Sequence, residues 1–524
     1  MRHRLDERIP ERGPRRCVGL LLVGVGMLAA CGPAVPTIHG HQRVDHLDGD
    51  DPLRVHTLDG MLFVLDRWQA GADAIVGEGR EYDADRRLVR SGHLTVARDR
   101  VAVLETRARR FPMGGVVVMG IATGVSLIGT AVCAANPKAC FGSCPTFYVE
   151  GADGPEVQAE GFSSSVARIL EAEDVDPLPD AAVRDGFVVL EMRNEALETH
   201  AVRSLELVRA SGPPGTRIAV DSRGRFLALG AETAPHACEG GPPDCVERLA
   251  ARDGLEVRWD ADPSDLAAQT EVVLAFGDPG SGEIALTLTI RNTLMSTFVM
   301  YHMLALYGTE AGAFYARIER GEPEALLGLM TFGRLLGGIE VAVAGADGSW
   351  RDVGTARFTG PIARDEVAFR VGVRDRGDPL RVRLTLPRAH WRIDRAGVAP
   401  IVAEATSRSI APTTVERDGV FDARALAAVR GEGDRLVTWP GDSYFFRFAA
   451  PPDGDESVGW FLRSRGYYYE WIRESWLEDQ DPVAAERFLR DPAAALRELA
   501  PLWIEMAPAA DAIFEESRFS GRAP

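Results

Sequence analysis

The sequence is poor in positive charge, and lysine is nearly absent from it. Of 59 basic residues only Lys138 is a lysine, and with 77 acidic residues the net charge is −18. Proteins that bind nucleic acid need a basic face, because lysine and arginine must neutralise the phosphates. An acidic surface repels polyanions, so the composition excludes nucleic acid as an expected partner.

The common sequence signatures of catalysis are also missing. There is no glycine-rich phosphate loop, no Gly-x-Ser-x-Gly nucleophile elbow and no His-Glu-x-x-His zinc helix. We therefore predict a structural or binding role, without cofactor or catalytic metal. An envelope hydrolase with an unrecognised site remains the alternative, because many active sites leave no local signature.

The composition and the hydrophobic patterns predict a mainly β protein with helical additions. A chain of 524 residues exceeds the size at which one core stops growing, so several domains are expected. In LRVRLTL, residues 380–386, apolar and polar side chains alternate as in a half-buried strand. EVVLAFGDPGSGEIALTLTIRN, residues 271–292, predicts a hairpin, and residues 295–335 change to the period of amphipathic helices.

The N-terminus has the order of a secretory signal, in which a basic stretch precedes an apolar run and small residues. The apolar run CVGLLLVGVGMLAA is followed by Cys31. The basic stretch contains six arginines, Arg2, Arg4, Arg8, Arg12, Arg15 and Arg16.

The junction LAAC, residues 28–31, resembles the bacterial lipobox, and the alternative is an ordinary signal peptide followed by a chance cysteine. The resemblance implies a lipid on Cys31, and hence a membrane partner and a location in the cell envelope. Gly32 stands where inner-membrane lipoproteins commonly have aspartate, so we expect the outer membrane and a body that faces the periplasm. Envelope proteins or polysaccharide are the expected partners there.

Composition shifts divide the chain into seven segments. They are a signal peptide (1–30), a polar tether (31–52), a small β-barrel or sandwich (53–110), an apolar segment (111–137), a β-rich domain ending in helices (138–335), a β-sandwich (336–464) and a helical tail (465–524). The tether contains a chelator-like set that we interpret as solvated linker: His39, His41, Asp45, His46, Asp48 and Asp50.

The apolar segment raises a question of topology. It holds 27 uncharged residues, enough for a helix to span a bilayer. A crossing after a lipidated Cys31 would place the rest of the chain in a reducing compartment. We therefore favour a glycine-rich helix or hairpin packed within the protein or on the membrane surface, with a membrane span or a buried strand as the alternatives.

Five cysteines remain once Cys17 leaves with the signal and Cys31 carries lipid. Local disulfides are the favoured interpretation, with Cys133 as a buried thiol. The disulfide candidates are Cys140 with Cys144 and Cys238 with Cys245. A four-thiolate zinc site from the same cysteines, or unpaired thiols, are the alternatives.

Glu195, Glu198 and His200 form a candidate acid–base group. If RNEALETH is a strand, Glu198 and His200 share one face while Glu195 points the other way. We interpret them as solvent-facing strand residues, with general acid–base catalysis as the alternative.

The richest aromatic stretch is GWFLRSRGYYYEWIRESW, residues 459–476. Rings at the edge of a sandwich can stack on sugars, which would make the domain a carbohydrate- or peptidoglycan-binding module. The candidate stacking residues are Trp460, Tyr467, Tyr469 and Trp471. The alternative is a helix that docks on the sandwich, because Tyr468, Ile472 and Trp476 recur at four-residue spacing.

Overall fold

The structure is a computed structural model of the whole chain. It describes residues 34–47, 49, 51–109, 144–152, 154–451 and 454–517. Several expectations lie outside the described residues, namely the signal peptide (1–30), lipidation of Cys31, the apolar segment (111–137), Asp48, Asp50, Cys133 and Cys140.

The described chain is mainly β with helical additions, which confirms the predicted fold class. Its strands are β1 Ala34–His39, β2 Leu53–Thr57, β3 Leu62–Ala70, β4 Ala74–Tyr82, β5 Leu88–Ala97, β6 Val101–Arg109, β7 Thr146–Glu150, β8 Pro155–Glu160, β9 Ala172–Pro177, β10 Phe187–Arg193, β11 Glu198–Gly212, β12 Arg217–Val220, β13 Phe226–Leu229, β14 Ala237–Glu239, β15 Gln269–Phe276, β16 Ile284–Asn292, β17 Ile339–Ala344, β18 Trp350–Ala356, β19 Asp365–Val371, β20 Leu380–Pro387, β21 Trp391–Glu404, β22 Thr406–Ile410, β23 Thr414–Arg417, β24 Val420–Phe421, β25 Leu436–Thr438, β26 Ser443–Ala449 and β27 Ser457–Glu470. The α-helices are α1 Cys245–Arg248, α2 Met295–Tyr307, α3 Ala311–Glu319, α4 Pro323–Leu336, α5 Ala423–Val429, α6 Pro482–Arg490 and α7 Pro492–Ser517.

The chain forms two compact units. The first contains the described residues up to 109 together with Leu304–Glu322 and Trp471–Pro482. The second contains the remaining described residues. No helix in the described ranges has both the length and the apolar character that a membrane crossing requires.

The first unit is built on an open six-stranded antiparallel sheet, where the sequence predicted a barrel or sandwich. Its strand order is β1-β6-β2-β3-β4-β5. One face carries an apolar core that includes Leu53, Val55, Phe63 and Leu104. Leu53 and Val55 alternate with Arg54 and His56 along β2, as expected for a sheet whose two faces have different surroundings.

The predicted tether contains the first strand of this sheet, followed by a short 3-10 helix over His41–His46. Strand β1 pairs with β6 over its whole length, and Val35 and Ile38 are buried. His39 is buried as well, with its Nε2 atom 2.8 Å from Thr106 Oγ1, and burial together with the charge of Arg43 lowers its pKa to about 3. The sequence did not predict this strand, because β1 has no clear period of its own and its partner strand lies about seventy residues further along the chain.

A buried charged layer lies on the other face of this sheet, under helix α3. The Glu105 carboxylate accepts hydrogen bonds from His56 Nε2 (3.0 Å) and Arg107 Nε (2.7 Å), and Arg54 Nη1 lies 3.5 Å away. Burial opposes ionisation, but the charge of Arg54 and the hydrogen bond from His56 hold the pKa of Glu105 well below its usual range. Gly312 of α3 lies so close to this carboxylate that a side chain there would overlap it.

The second unit contains two β-sandwiches, one inserted in the other. The outer sandwich pairs the sheet β24-β23-β26-β10-β7-β8 with the sheet β22-β11-β27-β9, to which β25 is added beside β11. The inner sandwich pairs β12-β13-β21-β16-β19 with β14-β15-β20-β17-β18. Each encloses an apolar core of its own. The two sandwiches therefore differ from the predicted consecutive domains 138–335 and 336–464, because β7 to β11 share sheets with strands after residue 405.

Local predictions within the second unit have mixed outcomes. Strand β20 is confirmed, with Leu380, Val382, Leu384 and Leu386 buried. The helices expected over 295–335 are also present. The predicted hairpin is wrong, because β15 and β16 belong to opposite sheets of the inner sandwich. Their apolar faces meet across its core, which satisfies the same pattern of alternation.

The helical tail begins later than predicted. Strand β27 continues to Glu470, and the tail helices α6 and α7 begin at Pro482 and Pro492. Tyr468 therefore lies in a strand, whereas Ile472 follows it and Trp476 lies in a 3-10 helix, so their four-residue spacing does not form one helical face.

We predict that Gly312→Ala destabilises the first unit. The added methyl group must displace the buried Glu105 carboxylate, which costs about 1 to 3 kcal/mol of unfolding free energy. Chemical denaturation followed by circular dichroism measures the change.

The matched control is Gly333→Ala in α4, where a side chain meets open space. This substitution should be neutral or stabilising by up to about 1 kcal/mol. Equal effects of the two substitutions would show that the close approach to Glu105 is unimportant.

Candidate functional site

The aromatic residues predicted to stack on a ligand are buried. Tyr467 and Tyr469 are 0% exposed, Trp471 is 5% exposed and Trp460 is 9% exposed. Trp460 belongs to the core of the outer sandwich, and the Tyr467 and Tyr469 rings contact each other edge to face. These rings offer no surface to a sugar, so the predicted stacking site is wrong.

Glu198 and His200 share one side of β11, as predicted, but they are buried and not solvent-facing. His200 Nε2 lies 3.4 Å from Glu198 Oε2, and both residues are 0% exposed. The Cys144 amide donates to Glu198 Oε2 at 3.2 Å, and burial lowers the pKa of His200 to about 3. Both side chains are closed to solvent, so a substrate cannot reach the imidazole from the surface.

Glu195 lies outside this pair, in the turn before β11. Its Oε2 atom accepts hydrogen bonds from Tyr148 Oη (2.7 Å) and Thr146 Oγ1 (2.9 Å). The three acid–base candidates therefore do not converge on one point.

Cys238 and Cys245 form a disulfide, with Cys245 buried against the core of the inner sandwich. Cys144 is buried, and its Sγ atom lies 3.3 Å from Ser163 Oγ. Within the residues that the structure describes, no group of three or more His, Cys, Asp and Glu side chains is arranged to hold a metal ion. The same holds for the described histidines of the predicted tether and for Cys144, Cys238 and Cys245.

The outward side of the outer sandwich carries a different arrangement of aromatic residues. On five neighbouring strands, directly opposed residues form one row across the sheet. Directly opposed residues of antiparallel strands project from the same side of the sheet. The row, here called the aromatic–glutamate row, reads Phe421, Glu416, Phe445, Glu191 and Tyr148.

Core packing on the other side of the same strands fixes the direction of this row. Tyr444 and Phe446, which flank Phe445, lie in the core of the outer sandwich. Phe445 is therefore 40% exposed, and Phe421 is 55% exposed. One strand separates them, so their attachment points are about 10 Å apart.

A hairpin places Phe421 in the row. Asp418 and Gly419 both have positive φ, at 54° and 73°, which is typical of a type I′ turn between two strands. This turn folds β24 back on β23 and sets Phe421 opposite Glu416.

The other end of the row is polar and tightly bonded. Arg193 donates two hydrogen bonds of 2.7 Å to the Glu191 carboxylate, and Ser443 Oγ donates a third at 2.7 Å. The Arg193 guanidinium also stacks on the Tyr148 ring, 4.4 Å from its centre. The row thus combines the exposed rings of Phe421 and Phe445 with the Glu191 carboxylate, whose position is fixed by three hydrogen bonds.

This row was not predicted from the sequence, although two local signals for it exist. SYFFRFA alternates as a half-buried strand with Phe445 on the polar side, and Asp418-Gly419 is a strong hairpin dipeptide. The register that aligns β10, β23 and β26 cannot be read from either signal.

Comparison with known proteins finds little similarity. No family model and no curated protein match the chain. An allantoicase structure aligns with 49% of this chain and 90% of its own, at 10% identity and a TM-score of 0.19. A β-porphyranase of glycoside hydrolase family 86 from the human gut bacterium Bacteroides plebeius aligns with 44% of this chain and 37% of its own, at 8% identity and a TM-score of 0.17. Both scores lie far below the level that indicates a shared fold.

We predict that the Cys238–Cys245 disulfide stabilises the inner sandwich. Replacing both cysteines by serine releases a loop with a sequence separation of 7, which should cost about 2 to 3 kcal/mol. Thermal unfolding of the double variant, with and without reductant, measures this loss.

Reduction should lower the melting temperature of the wild-type protein toward that of the variant and leave the variant unchanged. An oxidised wild type that melts together with the variant would contradict the prediction.

Proposed function

We propose that this protein is a lipid-anchored binding protein of the bacterial cell envelope, and that it binds polysaccharide on the aromatic–glutamate row. The exposed rings of Phe421 and Phe445, with Glu416 half-buried between them, carry the proposal. Nothing in the proposal depends on the aromatic residues of β27.

The chemistry of the row suits a chain of pyranose sugars. The C–H face of a pyranose stacks on an aromatic ring, and its hydroxyl groups donate hydrogen bonds to carboxylates. Because the row runs across the strands, an extended sugar chain lying along it meets rings on alternate strands with a glutamate between them. A neutral polymer fits better than a polyanion, because the Glu416 carboxylate between the two rings would repel negative charge, whereas Glu191 is already paired with Arg193.

The lipid anchor supplies the location. The arginine-rich start, the apolar run and the LAAC junction at Cys31 support lipidation, and Gly32 supports the outer membrane. Each methylene of an acyl chain that enters the bilayer contributes about 0.8 kcal/mol to membrane binding. Two or more acyl chains therefore hold a folded body at a membrane surface. Binding at the row would then connect the anchored protein to polysaccharide of the envelope.

Phe445→Ala and Phe421→Ala should each weaken polysaccharide binding. Loss of one stacking contact costs about 1 kcal/mol, which corresponds to about a fivefold increase in Kd. Co-sedimentation with purified peptidoglycan and affinity electrophoresis in soluble neutral polysaccharides measure binding and distinguish the two sources of sugar.

The control for these variants is Val420→Ala. Val420 is 68% exposed beside Phe421, but it is opposite Arg417 and so projects from the other side of the hairpin. The Val420→Ala substitution should therefore leave polysaccharide binding unchanged. The binding proposal would be overturned if a folded Phe421→Ala/Phe445→Ala protein bound every polysaccharide with the affinity of the wild type. It would also be overturned if the wild type bound none of them.

Cys31→Ser should abolish the anchor and leave the folded body intact. Metabolic labelling with palmitate, followed by membrane fractionation, should find the wild type labelled in the outer membrane and the variant unlabelled. Cys17→Ser, which changes the signal peptide alone, is the control and should be labelled as the wild type is. Equal labelling of wild type and Cys31→Ser would exclude Cys31 as the lipidated residue.

A further inference from the structure

Asp174, Asp176 and Asp365 interact electrostatically where the outer and inner sandwiches of the second unit pack against each other. Asp174 and Asp176 lie on the same side of β9, an edge strand of the outer sandwich. Asp365 begins β19, an edge strand of the inner sandwich that packs against β9. Asp176 is 5% exposed, and the other two are half-buried.

The hydrogen bonds around these carboxylates leave one buried oxygen without a partner. Two of the carboxylates accept hydrogen bonds from backbone amides, because Val175 N donates to Asp174 (3.1 Å) and Glu366 N donates to Asp365 (2.7 Å). Asp176 Oδ2 is buried and receives no hydrogen bond. Leaving such an oxygen ionised and unpaired in the interior is costly, whereas a proton on it lets the carboxyl group donate to a neighbouring carboxylate.

The surrounding charges do not neutralise the three carboxylates. Glu160 of β8 adds a further negative charge and accepts from the Ile362 and Ala363 amides. The charge of Arg252, an exposed residue, lowers the pKa of Asp365, but burial and the charge of Asp174 outweigh this effect. Arg217 of β12 is bonded to Glu366 and Glu232.

The strand on the other side of β9 supplies no counter-charge either. Its arginines, Arg463 and Arg465, are opposite Val175 and Glu173 and bond to glutamates on that side. Opposite Asp174 and Asp176 it places Ser464 and Leu462.

These surroundings favour the protonated forms. Burial raises the pKa of Asp174 to about 6. Burial, followed by the charge of Asp174, raises the pKa of Asp365 to about 7. Burial, followed by the charges of Asp174 and Asp365, raises the pKa of Asp176 well above its usual range.

We propose that Asp174, Asp176 and Asp365 form a proton-dependent latch that holds β9 of the outer sandwich against β19 of the inner one. When the group is protonated, its carboxyl groups hydrogen-bond to one another and the junction is closed. As protons leave, negative charges accumulate in a buried space and push the two strands apart.

The direction of the pH effect follows from the raised pKa values. Groups whose pKa is higher in the folded than in the unfolded state bind more protons in the folded state. Their contribution to stability is fully present below about pH 4 and is lost as the pH rises through about 6 to 7 and beyond. Buried histidines such as His200, with lowered pKa, change in the opposite direction, so the latch must be tested by the difference between variants.

Asp176→Asn keeps the shape of the side chain and cannot ionise. Between about pH 5 and about pH 8, the melting temperature of the full-length variant in detergent should rise relative to the wild type by about 3 °C or more. Glu173→Gln is the matched control on the opposite side of β9, where Glu173 contacts Arg463, and its difference from the wild type should not vary with pH in this way.

Hydrogen exchange locates the effect and provides a second variant. After correction for intrinsic rates, amides of β9 and β19 in the wild type should lose protection as the pH rises through about 7, while amides of β4 and β5 should not. Asp365→Asn should suppress this loss. Equal protection of β9 and β19 at both ends of the range, or an unchanged pH dependence in both aspartate variants, would overturn the latch.

Discussion

The pairing of β11 with β27 is the constraint on which the rest of the second unit depends. The two strands pair from Glu198 opposite Glu470 to Gly212 opposite Ser457, with one bulge after Val202. The inner sandwich is inserted between them, because β12 follows β11 and β22 precedes β27 along the chain. Closing so long a loop costs little more than closing a moderate one, since the entropy grows only with the logarithm of length. A large insertion is therefore compatible with a well-defined register.

This pairing also explains why the aromatic residues of β27 cannot form a binding surface. The strand lies between β11 and β9 in its sheet, with the core of the outer sandwich on one side. Tyr468 is part of that core, and Tyr467 and Tyr469 are buried on the other side of the strand. The proposed ligand site therefore lies on the sheet across the core. There the outward positions carry the aromatic–glutamate row, and the same strands contribute Leu190 and Phe446 to the core.

The sequence predicts the class of fold and many individual elements, because alternation and helical periods are local. Strand β20 and the helices after Met295 are examples. It fails where register over long distances decides the outcome. Strand β1 is predicted as a linker until it is paired with β6, and β15 and β16 are predicted as a hairpin although they lie in facing sheets. The last residues of β27, from 465 to 470, are predicted as part of the helical tail. The aromatic–glutamate row could not be predicted from the sequence for the same reason, because Phe445 and Phe421 become neighbours only when β23 aligns their strands.

We propose that a sugar chain lies along the aromatic–glutamate row. Hydroxyl-radical footprinting of the full-length protein, with and without a bound polysaccharide, tests this at single residues. Phe421 and Phe445 should become protected from oxidation, while exposed residues elsewhere, such as Leu327 and Met330 of α4, should be oxidised as before. Protection confined to other surfaces, with both phenylalanines oxidised at the unbound rate, would contradict it.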